Sequence, residues 1–193
     1  MIPTQFDYRA PATLDEAVAL LASDLDGAKV LAGGHSLIPA MKLRLAQPQL
    51  LVDIARIKSL AYIREEGDQI LIGATTTHYQ LESSDLLKNI CPLLPDCAQS
   101  IGDVQVRNKG TIGGSIAHSD PAGDWPAAVL ALDADLVLVG TNGERVVKAE
   151  NFFVDLLTTD LQPGEILREI RIKKPVGKFG QAYQKVQIGR AHV

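Results

Sequence analysis

"VLAGGHSLIPAMKLR", Val30 to Arg44, places a glycine pair, Gly33-Gly34, at the point where a short apolar run ends. Glycine there forfeits side-chain packing and loses more backbone freedom on folding than any other residue. The chain makes the same choice in "GTIGGSIAHSDPAGD", Gly110 to Asp124. One such stretch reads as a tight turn. Two of them, each followed by a small hydroxyl residue (Ser36 and Ser115), point to backbone amides brought up to a common ligand.

Upstream of the first pair, "ATLDEAVALLAS" opens with Thr13 and has Glu16 three residues on, the spacing of a capping box. Leu14, Ala17, Val18, Leu20 and Leu21 approximate a helical stripe. "AKVLA" then reads as a buried strand, so Gly33 sits at a strand's C-terminal end. "LIPAMKLRLA" predicts a short helix with Pro39 in its first turn, and "QLLVDIA" predicts the next strand. Two hairpins follow: "AYIREEGDQILIGA", turning at Glu66-Gly67-Asp68, and "DLVLVGTNGERVVKA", with Asn142-Gly143 at its turn. Between them, "TTTHYQLESSDLLKN" and "LLPDCAQSI" read as helical pieces separated by Pro92 and Pro95. "DWPAAVLALDA" reads as a helix that Asp124 could cap. "EILREIRIKK" reads as a charged edge strand. Hairpins and helices in this mixture predict an α+β fold rather than a regular βαβ wind, with a boundary near Ile57–Leu60.

Composition narrows the partners. The chain has 193 residues, 46% hydrophobic and 22% charged, with a net charge of −4, as in a globular protein with a real core. No basic stripe is present, and aromatics make up only 5%, so neither a phosphate backbone nor stacked bases are expected partners. There is no uninterrupted apolar run of membrane-spanning length and no charged-then-apolar leader, and the expected location is the cytoplasm. Cys91 and Cys97 cannot by themselves hold an iron–sulfur cluster or complete a zinc site, and read as packing residues. No metal ligand or catalytic residue is assigned.

Consecutive N–H groups in a glycine turn form an anion-binding nest. A hydroxyl from Ser36, Thr111 or Ser115 would add an uncharged donor. Two nests suit the two phosphoryl groups of a dinucleotide. The chain lacks G-x-x-x-x-G-K-[ST], which removes a Walker-type loop, and it lacks G-x-G-x-x-G, which removes support for the doubly wound dinucleotide fold. On these grounds alone, two purely structural turns at strand ends stay an open alternative.

"AGGHSLIPAMKLRLAQPQLLVDI" and "VRNKGTIGGSIAHSDPAGDWPA" resemble the paired FAD motifs of the medium, flavin-binding subunit of molybdenum hydroxylases, the carbon monoxide dehydrogenase and xanthine dehydrogenase family. The similarity begins at "IPTQFDYRAPATLDEAVALL" and runs to about Gln187. It implies the α+β, two-subdomain FAD-binding fold of the vanillyl-alcohol oxidase/p-cresol methylhydroxylase type, with residues 1–57 as the first subdomain and 58–187 as the second. It implies FAD as cofactor. By position, Ala32, Gly33, Gly34, His35 and Ser36 resemble the first FAD loop, and Thr111, Ile112, Gly113, Gly114 and Ser115 the second, together holding the diphosphate. Val30, Leu31 and Leu37 flank the first loop. Asp124 matches an acidic contact to the adenosine side, Ile101 and Leu167 apolar positions beside flavin or adenine, and Lys185 a lysine near the flavin ring. The implied partners are a large subunit with the molybdenum cofactor and a small subunit with two [2Fe–2S] clusters. Electrons would pass from those clusters to this flavin and on to an external acceptor. A dinucleotide-binding or assembly module without redox turnover is the alternative; a self-contained flavin oxidase is disfavoured, because no substrate domain or conspicuous flavin-linking His or Cys is seen.

Other residues carry plainer expectations. His35 reads as a donor to the cofactor or as a turn residue, and His118 as a loop residue near the cofactor entrance. Arg107 and Lys109 supply charge near the diphosphate or sit in a solvated loop. Trp125 reads as a packing anchor and His78 as surface or boundary. The closing "IGRAHV", Ile188 to Val193, departs from the family pattern and equals the translation of a common sequencing-adapter stretch. The expectation is a non-native tail and a missing C-terminal domain, so Arg190 and His192 receive no role.

Overall fold

Residues 2–186 are described by the structure, a computed structural model; the tail expected to be non-native lies outside them. The N-terminal unit runs β1(Asp7–Arg9), α1(Leu14–Ser23), β2(Ala28–Leu31), α2(Leu37–Lys42) and β3(Leu50–Asp53). Thr13 caps α1 by accepting the Glu16 N–H at 3.2 Å, while the Glu16 carboxylate accepts the Ala12 N–H at 2.8 Å. Both β1 and β2 pair in parallel with β3, giving the order β1-β3-β2. Within the α+β whole, this unit is therefore a parallel βαβαβ wind, contrary to expectation. The strand that completes it, β1, has three exposed residues and no apolar alternation, so nothing in its sequence announces it. Ala17, Val18 and Leu21 of α1 pack with Ala28, Val52 and Ile54 in a small core.

A short 3-10 turn, Lys58–Leu60, leads into a larger antiparallel sheet. Its strands are β4(Ile63–Glu66), β5(Gln69–Gly73), β6(Asp135–Gly140), β7(Gly143–Lys148) and β10(Ile166–Lys173), in the order β4-β5-β10-β6-β7. Six helices separate β5 from β6: α3(His78–Ser83), α4(Asp85–Ile90), α5(Leu93–Gln99), α6(Val104–Arg107), α7(Ile112–His118) and α8(Asp124–Ala131). Between β7 and β10 lie α9(Ala149–Phe152) and a hairpin of β8(Phe153–Asp155) and β9(Thr158–Thr159). The main core, with Leu81, Leu94, Ile116 and Trp125, lies between the helices and Ile70, Leu136 and Ile170 of the sheet.

Several local expectations shift. The first hairpin turns at Gly67-Asp68, with Gly67 at φ +60°, because Glu66 pairs with Gln69. The second turns at Thr141-Asn142, and Gly143 at φ +98° opens β7 opposite Gly140. Pro92 stands before α5 as expected, while Pro95 falls inside its first turn, where a missing N–H costs nothing; the first helical piece is itself split at Ser84, which ends α3 and caps α4. The strand read as an edge, β10, is central, paired on both sides. A bulge between Leu167 and Glu169 aligns Leu167 with Ile170 and Ile172 in the main core. Its charges do not mark solvent. Glu169 is 1% exposed, accepting hydrogen bonds from the Tyr62 hydroxyl and from Arg171 Nε at 2.6 Å. Burial by itself would raise the Glu169 pKa, and those two donors hold it below the ordinary value.

Candidate cofactor site

The two glycine motifs meet backbone to backbone. A Cβ on Gly33 would lie 2.3 Å from the Lys109 carbonyl oxygen and 2.7 Å from the Gly110 Cα, and one on Gly114 would reach the Ala32 Cβ at 3.9 Å. Gly34 adopts φ +77°, a left-handed turn suited to glycine, that carries the chain from β2 into α2. Across this turn the amides of Gly33, Gly34, His35 and Ser36 find no acceptor among the described residues. Ser36 sits at the N-cap of α2 without making a side-chain cap, so its hydroxyl is also uncommitted. His35 and Ser36 are exposed, and Val30, Leu31, Ala32 and Leu37 are half-buried beside them.

The second motif is built differently from the loop expected. It is the first turn of α7, with Thr111 as N-cap. Its amides are already paired: Ile112 with Thr76 O at 3.0 Å, Gly113 with Ala74 O at 2.9 Å, Gly114 with Thr111 Oγ1 at 3.2 Å and Ser115 with Thr111 O at 3.1 Å. Gly113 is required by packing, since its Cβ would fall 2.5 Å from that of Ala74, and Ile112 is fully buried in the core. What α7 offers outward is Gly114, Ser115 and the positive end of its backbone dipole. One nest and one helix start thus replace the two nests read from sequence. An aperiodic glycine pair is compatible with either, and helix propensity alone does not reveal the α7 turn.

A second group gathers around Asp124. The expectation that Asp124 caps α8 is corrected: Gly123 is the N-cap and Asp124 the first helical residue. Its buried carboxylate accepts from the Tyr183 hydroxyl at 2.6 Å and pairs with Lys185 Nζ at 2.8 Å. Burial and this carboxylate push the Tyr183 pKa upward. Lys185 also reaches the Ser100 carbonyl at 3.5 Å, next to half-buried Ile101. Leu167 lies on β10, 4% exposed, in the main core against which Ile101 also packs.

Arg107 is not a free cation beside the diphosphate. It pairs with Glu82 at 2.8 Å and ties down the carbonyls of Ile101 and Gly102. His118 ends α7 rather than occupying a loop, about 10 Å from the start of that helix. Trp125 is fully buried, as expected of an anchor. His78, expected at the surface, is 4% exposed and accepts the Trp125 indole N–H at 3.0 Å on Nδ1. Burial is the main reason its pKa drops to about 4. His78 and Gly110, neither of them a candidate from sequence, pack against each other where the two motifs meet; the triple threonine before His78 signals a helix cap, not burial. Cys91 and Cys97 are free and buried. No group of three or more His, Cys, Asp or Glu suited to a metal ion occurs among the described residues, and no described helix is long and apolar enough to cross a membrane.

Four amides with no acceptor among the described residues thus stand beside the start of α7, an arrangement whose chemistry suits a phosphate-bearing group. Residues 4–175 match the family described as the FAD binding domain in molybdopterin dehydrogenase, and the chain belongs to that family. FAD is its cofactor, and the donor set fits a diphosphate. The chain is 49% identical over 187 residues to the carbon monoxide dehydrogenase medium chain of Hydrogenophaga pseudoflava, covering 97% of this chain and 65% of that one. It is 40% identical to the glyceraldehyde dehydrogenase medium chain of Sulfolobus acidocaldarius, covering 96% and 66%. The solved carbon monoxide dehydrogenase from Hydrogenophaga pseudoflava, in a form lacking the Mo-pyranopterin moiety, superposes with a TM-score of 0.95 over 98% of this chain and 66% of that chain.

Proposed function

We propose that this chain is the FAD-binding part of the medium subunit of a molybdenum hydroxylase, taking electrons from the [2Fe–2S] clusters of a small subunit and passing them to an external acceptor. The observation that carries this reading is the set of four adjacent amides, Gly33 to Ser36, with no acceptor among the described residues, next to the N-terminus of α7. Bound FAD would supply reversible two-electron redox chemistry that also proceeds one electron at a time. The protein's part is to hold and orient. The amides and the Ser36 hydroxyl donate to the diphosphate, and the Thr111 and Ser115 hydroxyls add donors from the other motif. Asp124 and Lys185, joined in one ion pair at 2.8 Å beside Ile101, would together serve a single end of the cofactor rather than the adenosine and flavin ends separately. We take residues 1–57 and 58–187 as the two subdomains between which the cofactor lies.

The relatives support a complex with large and small subunits, and their names refer to carbon monoxide in one case and glyceraldehyde in the other. Such different substrates on so similar a medium chain favour substrate choice in another subunit. A cytoplasmic setting agrees with two unpaired cysteines.

The test is a visible spectrum of the purified chain after incubation with FAD and removal of excess, followed by dithionite. A flavin band that is retained, then bleached, and absent from a Gly33→Leu variant is the expected result. A band that is retained but not bleached would favour a non-redox module. No retained band would count against the reading.

A further inference from the structure

His78 lies against Gly110, where the second motif meets the first. Its backbone N–H donates to Gly110 O at 3.0 Å, and a Cβ on Gly110 would come within 2.6 Å of Nε2. Only a glycine lets the imidazole lie against that backbone. The Gly110 Cα is, in turn, one of the two backbone groups that leave no room for a side chain on Gly33. On the other side of the ring, the Trp125 indole donates to Nδ1 at 3.0 Å, with ring centroids 5.9 Å apart and tilted by 33°. A nitrogen that accepts a hydrogen bond carries no proton, so this contact fixes the neutral tautomer with its proton on Nε2. The contact chain therefore runs Trp125, His78, Gly110, Gly33, from the centre of the main core to the unpaired amides.

We propose that His78 is a positioning residue of the FAD site, holding Gly110 against Gly33 from the fixed point that Trp125 provides. The inference rests on the reading of the site as FAD-binding. Three charged or titratable groups face the imidazole: His35 from the turn after β2, Asp124 from α8 and Arg107 from α6. Burial, together with His35 and Arg107, disfavours the imidazolium, while Asp124 favours it, and the balance keeps the ring neutral at pH 7. A charged ring could not accept the indole proton. A ring that turned to escape it would press on Gly110 and open the contact beneath the amides.

The experiment compares the unaltered chain with His78→Ala, His78→Asn and Trp125→Phe. FAD dissociation constants are read from quenching of flavin fluorescence at pH 7, with thermal melts to show that each variant is folded. Trp125 is the chain's single tryptophan, so its emission reports the indole–imidazole contact directly. His78→Ala is expected to weaken FAD binding at least tenfold and to shift the tryptophan emission. His78→Asn, whose amide oxygen can take the place of Nδ1, restores the emission and recovers most of the affinity. Trp125→Phe stays aromatic but removes the indole N–H with part of the ring, and weakens binding several-fold. Affinities within twofold of the unaltered chain for folded His78→Ala and Trp125→Phe would overturn the role of His78 alone. If His78→Ala does not fold, an asparagine variant with restored emission but tenfold weaker binding would overturn it equally. Failure of the unaltered chain to take up FAD would overturn the cofactor reading itself.

Discussion

The atoms nearest a Cβ on Gly33, the Lys109 carbonyl oxygen and the Gly110 Cα, are both backbone and have no rotamer through which to yield. Gly33→Ala should therefore part the motifs, destabilise the fold by about 1–3 kcal/mol and weaken FAD retention at least tenfold, as measured by a thermal melt and a flavin titration. Gly114 makes the control. Its Cβ would meet a hydroxyl, Thr111 Oγ1 at 2.8 Å, and alanine is the better helix former, so Gly114→Ala should change stability by less than about 1 kcal/mol. His78 adds a pH dependence. Its pKa falls from 6.5 to about 4 on folding, so between these values the unfolded chain takes up a proton that the native chain refuses. Stability from this group is then complete above pH 6.5 and declines as pH falls to about 4, by about 3 kcal/mol in all. Urea unfolding at pH 7 and pH 5 should show the decline, and His78→Gln should flatten it.

Among the elements, α7 and β10 depend most on contacts their own sequences do not announce. Thr111 accepts the Gly114 N–H at the start of α7, and Thr111→Val should cost about 1 kcal/mol through the lost cap. The same change removes a hydroxyl donor, so FAD affinity should fall as well; stability and flavin titration together check it. In β10, Glu169→Ala leaves Tyr62 and Arg171 without their acceptor in a nearly closed setting. A loss of about 3 kcal/mol is expected, read as a lower denaturation midpoint. The strand's charges suggested an edge because alternation in sequence records only that a face is polar. That the polar face is closed by Tyr62, Arg168 and Arg171 depends on strands paired across the sheet.

At the level of the whole molecule, the segment after β10 lies along the protein without strand or helix, to residue 186. Tyr183 and Lys185 fasten it to Asp124, and Gln181 accepts the Leu93 N–H at 3.4 Å. Asp124→Asn removes the charge that holds Lys185, and trypsin should then cleave at Lys178 several-fold faster while the melting of the rest changes little. Mass spectrometry of the early fragments checks this. An unchanged cleavage rate would show that the segment is held by its apolar packing instead.

What the sequence determined by itself was local or spoken for by motif: the Thr13 cap, hairpins within a residue of their true turns, the α+β mixture, and the two glycine motifs that the fold brings together. These depend on backbone sterics and on short-range hydrogen bonds, which neighbouring residues set among themselves. The tertiary structure decided which of the motif amides stay unpaired, that the second motif starts a helix, that β1 completes a parallel sheet, that β10 is central, and that His78 is buried on Trp125 against Gly110. Each of these depends on groups far apart in the chain. Ala74 and Thr76 occupy the amides of α7, and Lys109 crosses Gly33, only once the chain has folded, because hydrogen-bond partners and close packing are properties of three-dimensional neighbours rather than of residue order.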